Sequence, residues 1–509
     1  MTRGRPGALA EGQLFRVMVL AVDATLLLVA SFMFTGNDTW GFAALGMACA
    51  TISHLPIILG ITSWLSMWGA LALVVSIGAG ARGYAIALGY PDRSILTNLF
   101  TLGVPLESLT SEAVLTLACV STVTLGYMWG VSRWSTSTGP GAASRDGLTA
   151  RTFPAGGYQF LVLAYAVVGG VATIMYYRAV GGADADIVSR RTVYTGEAGY
   201  ASHGVLELVA RAGTVALLLF LVYRLSRKVP WGPGSWLLLG VLTINAFGIN
   251  WITTTRSDLL YVTLGVLLVV RLVRGKLPVS LVVGSALAVI LAIGVLTAAR
   301  STAQGTTPES NGSSLAFGVD SGLLNRNAFD LSKTMHITHA VPAELPYARG
   351  ATIANYILAP VPRSVWPDKP VVSPGPIIGR EIYGLPQTGV PPGMVAELVW
   401  NFGRVPAILL CGVVGHLLGR LERRAVTWGG QRVVLVLAYA LVVLPFGKAI
   451  MGVAIGQAAS AAAQALLLLV PIMVIDLVLR SRARAETRKS NTSLGRGRRT
   501  PVSLSKPVG

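Results

Sequence analysis

Long apolar runs separated by short polar connections dominate the chain, and roughly 20 such residues suffice to cross the hydrocarbon core of a bilayer. The pattern predicts an all-α polytopic membrane protein with about 12 spans. They lie near Leu14–Phe34, Trp40–Leu59, Thr62–Gly80, Ala113–Gly130, Tyr158–Tyr177, Val205–Val222, Ser235–Trp251, Ser257–Val270, Val279–Ala298, Met394–Leu418, Val433–Phe446 and Met451–Leu479. The Ser235–Trp251 and Ser257–Val270 pair is short, which leaves a re-entrant hairpin open there. About nine spans thus fill residues 1–299 and about three fill 394–479, with a large connection, 300–393, between them.

Polar periodicity inside that connection is informative. Ser301–Gly318 is rich in Ser, Thr, Gly and Asn. In Leu323–His339, Leu324, Ala328, Leu331 and Met335 recur at helical spacing, while Arg326, Asp330 and Lys333 fall on another face. This predicts an amphipathic helix lying on the outer membrane face or packed beneath the loop. From Val361 to Arg404 the run of prolines from Pro362 to Pro392 argues against one continuous helix. The same stretch gathers Arg363, Lys369 and Arg380 with Asp368, Glu381 and Glu397, and the flat faces of Trp366, Tyr383 and Trp400. Guanidinium forks clamp phosphoryl oxygens and aromatic faces stack on sugars. The same composition also suits an ordered, inert loop tying two helices together.

Composition agrees with the pattern: 53% hydrophobic and 12% charged residues, at a mean hydropathy of +0.63, lie far from the average of soluble domains. A net charge of +19 would fit a nucleic-acid partner, but the cations gather in connections between spans. Arg3, Arg5 and Arg16; Arg133, Arg145 and Arg151; Arg224, Arg227 and Lys228; Arg271, Arg274 and Lys276; Arg420, Arg423, Arg424 and Arg432 all fall on one side. The positive-inside rule makes that side, both termini and the basic tail 480–509 cytoplasmic. No nucleic acid is implied, and the tail reads as disordered. The connections Ala81–Glu112, Arg178–Gly204 and 300–393 are then extracytoplasmic. Cys49, Cys119 and Cys411 sit in apolar runs without a pairing pattern, so neither a disulfide framework nor a zinc site is expected.

Ionisable residues near the predicted span ends carry the remaining candidate chemistry. Arg256 stands between two spans, as a snorkelling anchor or as a cation for a lipid-linked pyrophosphate. His203, Glu207 and Arg211 share a helix face, where a structural ion pair competes with substrate contact. Lys448, between the last two predicted spans, suits a phosphate or a helix end. Asp23 is a carboxylate within the first span and needs a protein or water partner; it is the feature that best suits a proton-coupled transporter. His336 and His339 lack a third ligand at a telling spacing and read as surface histidines. No phosphate-binding or dinucleotide motif supports ATP- or NAD-driven chemistry.

Pro362-Arg363, Trp366-Pro367-x-Lys369-Pro370, the Gly/Pro run, and Glu397 followed by Asn401-Phe402-Gly403, together with TTTRSDLL entering a helix, resemble the Wzy-type polymerases. These are the O-antigen and oligosaccharide repeat unit polymerases of bacterial surface polysaccharides. The resemblance implies a glycosyltransferase of the bacterial cytoplasmic membrane, active on its extracytoplasmic face without cofactor, metal or nucleotide sugar. It would polymerise undecaprenyl-pyrophosphate-linked oligosaccharides, with a chain-length regulator and a flippase as partners. Arg256, Arg363 and Lys369 would then stabilise the diphosphate leaving group, and Glu397 would activate the acceptor hydroxyl, with Asp368 and Glu207 as alternative bases. Trp366, Arg380, Trp400, Asn401, Glu207, Arg211 and Lys448 are the expected substrate contacts. A lipid-linked oligosaccharide flippase or proton-coupled transporter, a ligase-like enzyme using polyprenyl-linked donors, and a scaffold remain the alternative readings.

Overall fold

The computed structural model describes residues 6–34, 38–88, 106–132, 155–182, 205–227, 230–253, 256–274, 277–303, 329–358, 366, 372–384, 389–429 and 433–496. Helices and their connections account for all of them, with no strand among the described residues. In chain order the principal helices are α1 (Pro6–Met33), α2 (Asp38–Ile58), α3 (Met67–Ala87), α4 (Leu106–Ser132), α5 (Ala155–Ala179), α6 (Val205–Ser226), α7 (Pro233–Ile252), α8 (Arg256–Arg274) and α9 (Val279–Ala303). After these come α10 (Leu331–Ala340), α11 (Pro374–Glu381), α12 (Gly393–Phe402), α13 (Arg404–Gly429), α14 (Val433–Gly452) and α15 (Ile455–Arg496).

Among the described residues, 11 helices are long and apolar enough to cross a membrane. The chain is a multi-pass, all-α membrane protein. An apolar exterior supports this: Leu28, Phe160, Leu163, Leu237, Ile244, Leu409 and Leu467 all stand exposed, as side chains facing lipid do. The predicted span over Ser257–Val270 is a helix, α8, but Arg256, Asp258, Arg271 and Arg274 make it too charged to count with the others.

Three further differences concern helix ends. The run expected as one span over Met394–Leu418 is two helices, because Gly403 at φ +86° breaks it between α12 and α13. Lys448 lies inside α14 rather than in the connection that follows. The last helix runs on to Arg496, into the stretch read as a disordered tail. Residues 480–490 there are mostly Ala, Arg, Glu, Lys and Ser without Gly or Pro, and helix formers sustain the turn.

Small residues set how closely the helices approach. A Cβ on Gly126 of α4 would lie 2.0 Å from the carbonyl oxygen of Gly412, and one on Gly415 of α13 would lie 2.0 Å from that of Val123. The Thr122 hydroxyl donates to the Ile408 carbonyl at 2.9 Å one turn earlier. The paired positions advance together, so α4 and α13 run parallel in backbone contact, the geometry that small-xxx-small spacing permits. At the α2–α3 crossing, Gly46 meets Ala79 and Gly83 meets Phe42 in the opposite sense.

The segment between α9 and α13 builds a small core of its own from Ile337, Leu345, Ile378, Ile382, Ala396 and Trp400. Helix α10 is buried on nearly every side, against α4, α12 and α3. It therefore packs beneath the loop rather than lying on a membrane face, and His336 is buried rather than on the surface. Residues 323–328 of that predicted helix lie outside the described residues.

Candidate functional site

Three polar clusters are built from residues far apart in the chain. The first joins α6, α8 and α14. Arg211 donates through Nη2 to Glu207 Oε1 at 2.8 Å and to Asp258 Oδ2 at 3.3 Å. The Glu207–Arg211 pair expected from i,i+4 spacing therefore forms, and Asp258 extends it across to α8. One turn further along α8, the ring of Tyr261 lies under Lys448, with Nζ 4.1 Å from the ring centroid. Lys448 is 5% exposed. Among the described residues no hydrogen-bond acceptor serves its ammonium. The buried Tyr261 hydroxyl also lacks a hydrogen-bond partner. Two donors without acceptors among the described residues, side by side in a low-dielectric setting, suit an incoming anion.

The second cluster surrounds Glu397, which is fully buried. Its Oε1 accepts from the Thr352 hydroxyl at 3.0 Å and its Oε2 accepts from the Ile455 backbone N–H at 2.6 Å. The carboxylate thereby caps the start of α15, where unsatisfied N–H groups and the helix dipole favour negative charge. Burial pushes its pKa up, against the opposing pull of the Ile455 and Thr352 hydrogen bonds. Asn401 donates to Thr352 Oγ1 at 2.6 Å and accepts from the Gly350 N–H at 2.8 Å. Trp400 donates through Nε1 to the Pro346 carbonyl at 2.9 Å. Glu397, Trp400 and Asn401 thus come together as a clamp on residues 346–352, with their polar groups engaged inside the fold.

The third cluster lies at the start of α10. Asp330 caps the helix, accepting from the N–H groups of Ser332 and Lys333. Arg82 reaches it from α3, with Nε 3.5 Å from Asp330 Oδ1 and 3.1 Å from Ser332 Oγ. Burial pushes the Lys333 amine down to about 8, with Asp330 opposing. Burial, with His339 nearby, holds the His336 ring at about 4, and that ring stands edge-on to Tyr383 at 5.1 Å.

The remaining predicted contacts are not gathered into these clusters. Arg380 is exposed and paired with its neighbour Glu381 at 2.8 Å. Trp366 is 40% exposed. Arg363, Lys369, Asp368 and His203 lie outside the described residues. Arg256 opens α8, but its side chain lies outside the description. Sequence reasoning missed Asp258 and Tyr261, although their i,i+3 spacing just after Arg256 was visible. It also missed Thr352 and the Arg82–Asp330 pair, for which no local pattern exists.

Glu422, whose sequence neighbours are arginines, is another buried carboxylate. It accepts from Tyr127 at 2.8 Å, Tyr439 at 2.9 Å and the Trp68 N–H at 3.2 Å. Among the described residues no group of three His, Cys, Asp or Glu side chains is placed to hold a metal ion. Compared with known proteins, the chain matches no family model, no curated protein and no solved structure.

Proposed function

We propose that the chain is a membrane glycosyltransferase that polymerises undecaprenyl-pyrophosphate-linked oligosaccharide repeat units on the outer face of the bacterial cytoplasmic membrane. The observation that supports this reading is the Lys448–Tyr261 pair, two buried donors without a hydrogen-bond acceptor among the described residues, beside the Glu207–Arg211–Asp258 cluster. As the glycosidic bond to a diphosphate breaks, negative charge grows on the leaving group, and preorganised donors favour that charge. Arg256, at the start of α8, and Arg363 and Lys369 of the Pro-rich stretch are further cations in this reading. Glu397 has both oxygens engaged within the fold. The carboxylate orienting the acceptor hydroxyl is therefore assigned to Glu207.

The test is polymer length in the bacterium that carries the gene. Lys448→Met and Tyr261→Phe should abolish long polymer and leave single lipid-linked repeat units, at unchanged membrane levels of the protein. Polymer of normal length from both variants overturns the proposal. A lipid-linked oligosaccharide flippase or proton-coupled carrier is the second reading, favoured by the Asp23–His54 pair within the spans. In that case the stranded unit stays on the inner leaflet.

A further inference from the structure

Helix α1 presents Val17, Leu20, Leu28 and Phe32 outward, and inside the spans it meets α2 through an ionisable contact. His54 of α2 places Nδ1 2.7 Å from Asp23 Oδ2. Its other nitrogen, Nε2, lies 3.2 Å from Ser76 Oγ on α3. Ser76 Oγ is also 2.7 Å from the Ala72 carbonyl oxygen. The carboxylate, ring and hydroxyl therefore form a line across three helices, with Asp23 buried at 5% exposure.

Hydrogen positions follow from counting donors. A hydroxyl has one hydrogen, and a carbonyl can only accept, so the short contact to Ala72 uses the hydrogen of Ser76. Ser76 Oγ must then accept from His54, which requires a hydrogen on Nε2. The contact between Nδ1 and Asp23 requires a second hydrogen. Asp23 and His54 together thus hold one hydrogen more than a neutral imidazole beside a carboxylate, and the pair is neutral overall. That is the cheaper charge state for groups inside a bilayer.

Among the described residues, most other ionisable side chains near α2 have partners elsewhere. Tyr84 donates to the Leu26 carbonyl, Arg82 bonds Ser332, Arg404 bonds Glu112 and Tyr127 donates to Glu422. Arg16 lies against Gly60, and Cys49 and Cys119 are buried free thiols.

We propose that Asp23, His54 and Ser76 form an intramembrane proton-binding site. In the loaded state Asp23 and His54 share the extra proton. On release, the Nε2 proton passes to water, Nδ1–H keeps its bond to Asp23, and the Ser76 hydroxyl turns from Ala72 to donate to Nε2. Ser76 opens a wide, π-type turn, Ser76–Ala81. Such turns recur at functional sites. In that turn a Cβ on Gly78 would lie 2.1 Å from the Phe329 carbonyl oxygen, just before α10. The proton switch and the buried loop helix therefore touch the same turn.

The test is independent of polymer synthesis. The full chain, with its five histidines labelled with nitrogen-15, is placed in lipid nanodiscs and followed from about pH 8 down to about pH 5. The expected spectrum contains one ring protonated on both nitrogens, lost in His54→Gln and converted to a neutral ring in Asp23→Asn. A ring with Nε2–H together with a protonated carboxyl band in the infrared that disappears in Asp23→Asn supports the same site. Wild-type protein in which Nε2 of His54 stays bare beside an ionised Asp23 across that whole pH range overturns it, and that result needs no variant to fold.

Discussion

Replacing Glu397 separates a structural duty from a chemical one. Two buried donors depend on its carboxylate, the Ile455 N–H and the Thr352 hydroxyl. Stranding a buried polar group costs about 1–3 kcal/mol, so Glu397→Ala should lose roughly 2–6 kcal/mol of stability before any cavity term. Glu397→Gln is milder. Its oxygen can serve Ile455, and its amide can donate to Thr352 Oγ1, which already accepts from Asn401. One hydroxyl hydrogen then needs a new partner, for a loss of about 1 kcal/mol.

The pH dependence gives a second handle on the same residue. Burial raises the Glu397 pKa in the folded protein above its unfolded value. Between those two values the folded state binds more protons, so this residue's contribution to stability falls as pH rises through that window. Glu397→Gln should flatten that slope, whereas Thr352→Val, which removes a donor to the ionised form, should steepen it. Thermal melting of purified protein in micelles from pH 4 to pH 8, followed by tryptophan fluorescence, reads both effects. If Glu397→Ala melts with the wild type across that range, the clamp between α12 and α15 carries no energy and the reasoning fails.

Three further outcomes are expected. Lys333→Met should raise the melting temperature at pH 7. The fall of its amine from 10.5 to about 8 corresponds to about 3 kcal/mol. That penalty is full below about pH 8 and is relieved as pH rises toward 10.5, so the gain should vanish there, and no gain at pH 7 would exclude a strained ammonium. Arg82→Met should cost about 3–5 kcal/mol by leaving Asp330 buried without its guanidinium. The double variant with Asp330→Asn, which still caps α10, should recover part of the loss in melts. Gly126→Ala should push α4 from α13 by about 1 Å and cost about 1–3 kcal/mol, read as lower folded yield from membranes; yield equal to wild type would refute backbone contact at that crossing.

Most of the membrane architecture was legible because spanning a bilayer forces a length and a polarity on each helix. Ten of the predicted spans needed only their ends adjusted. Where the reading failed, tertiary contacts had overruled local pattern. Asp330 and Lys333 looked like the wet face of an amphipathic helix, yet Arg82, distant in sequence, lets the whole of α10 be buried. The apolar run through Gly403 looked continuous because hydropathy does not register a positive φ. The candidate site was legible only in pieces. Glu207 and Arg211 announced themselves by spacing, and Lys448 as an isolated cation, but their meeting with Asp258 and Tyr261 depends on how α6, α8 and α14 pack.

The interruption at Gly403, which hydropathy missed, and the break between α14 and α15 explain each other. Non-helical backbone at membrane depth is tolerated only where protein satisfies its polar groups. The break between α14 and α15 exposes the Val453 carbonyl and the Ile455 N–H. Gly393 donates its N–H to the first at 2.8 Å, and Glu397, one turn on, accepts from the second. Gly393 can do so because it adopts φ +72°, and because a Cβ there would sit 2.6 Å from the Met451 carbonyl oxygen. Helix α12 must therefore begin at Gly393, beside the break, and cannot simply continue the direction of α13. Gly403, at φ +86°, lets the chain turn between them while its own N–H still reaches Val399 at 2.8 Å. The glycine and carboxylate that most resembled an active-site signature thus have a backbone reason to be where they are. The Lys448 ammonium and the Tyr261 hydroxyl, which lack a hydrogen-bond acceptor among the described residues, have none, and ligand chemistry is better sought at them.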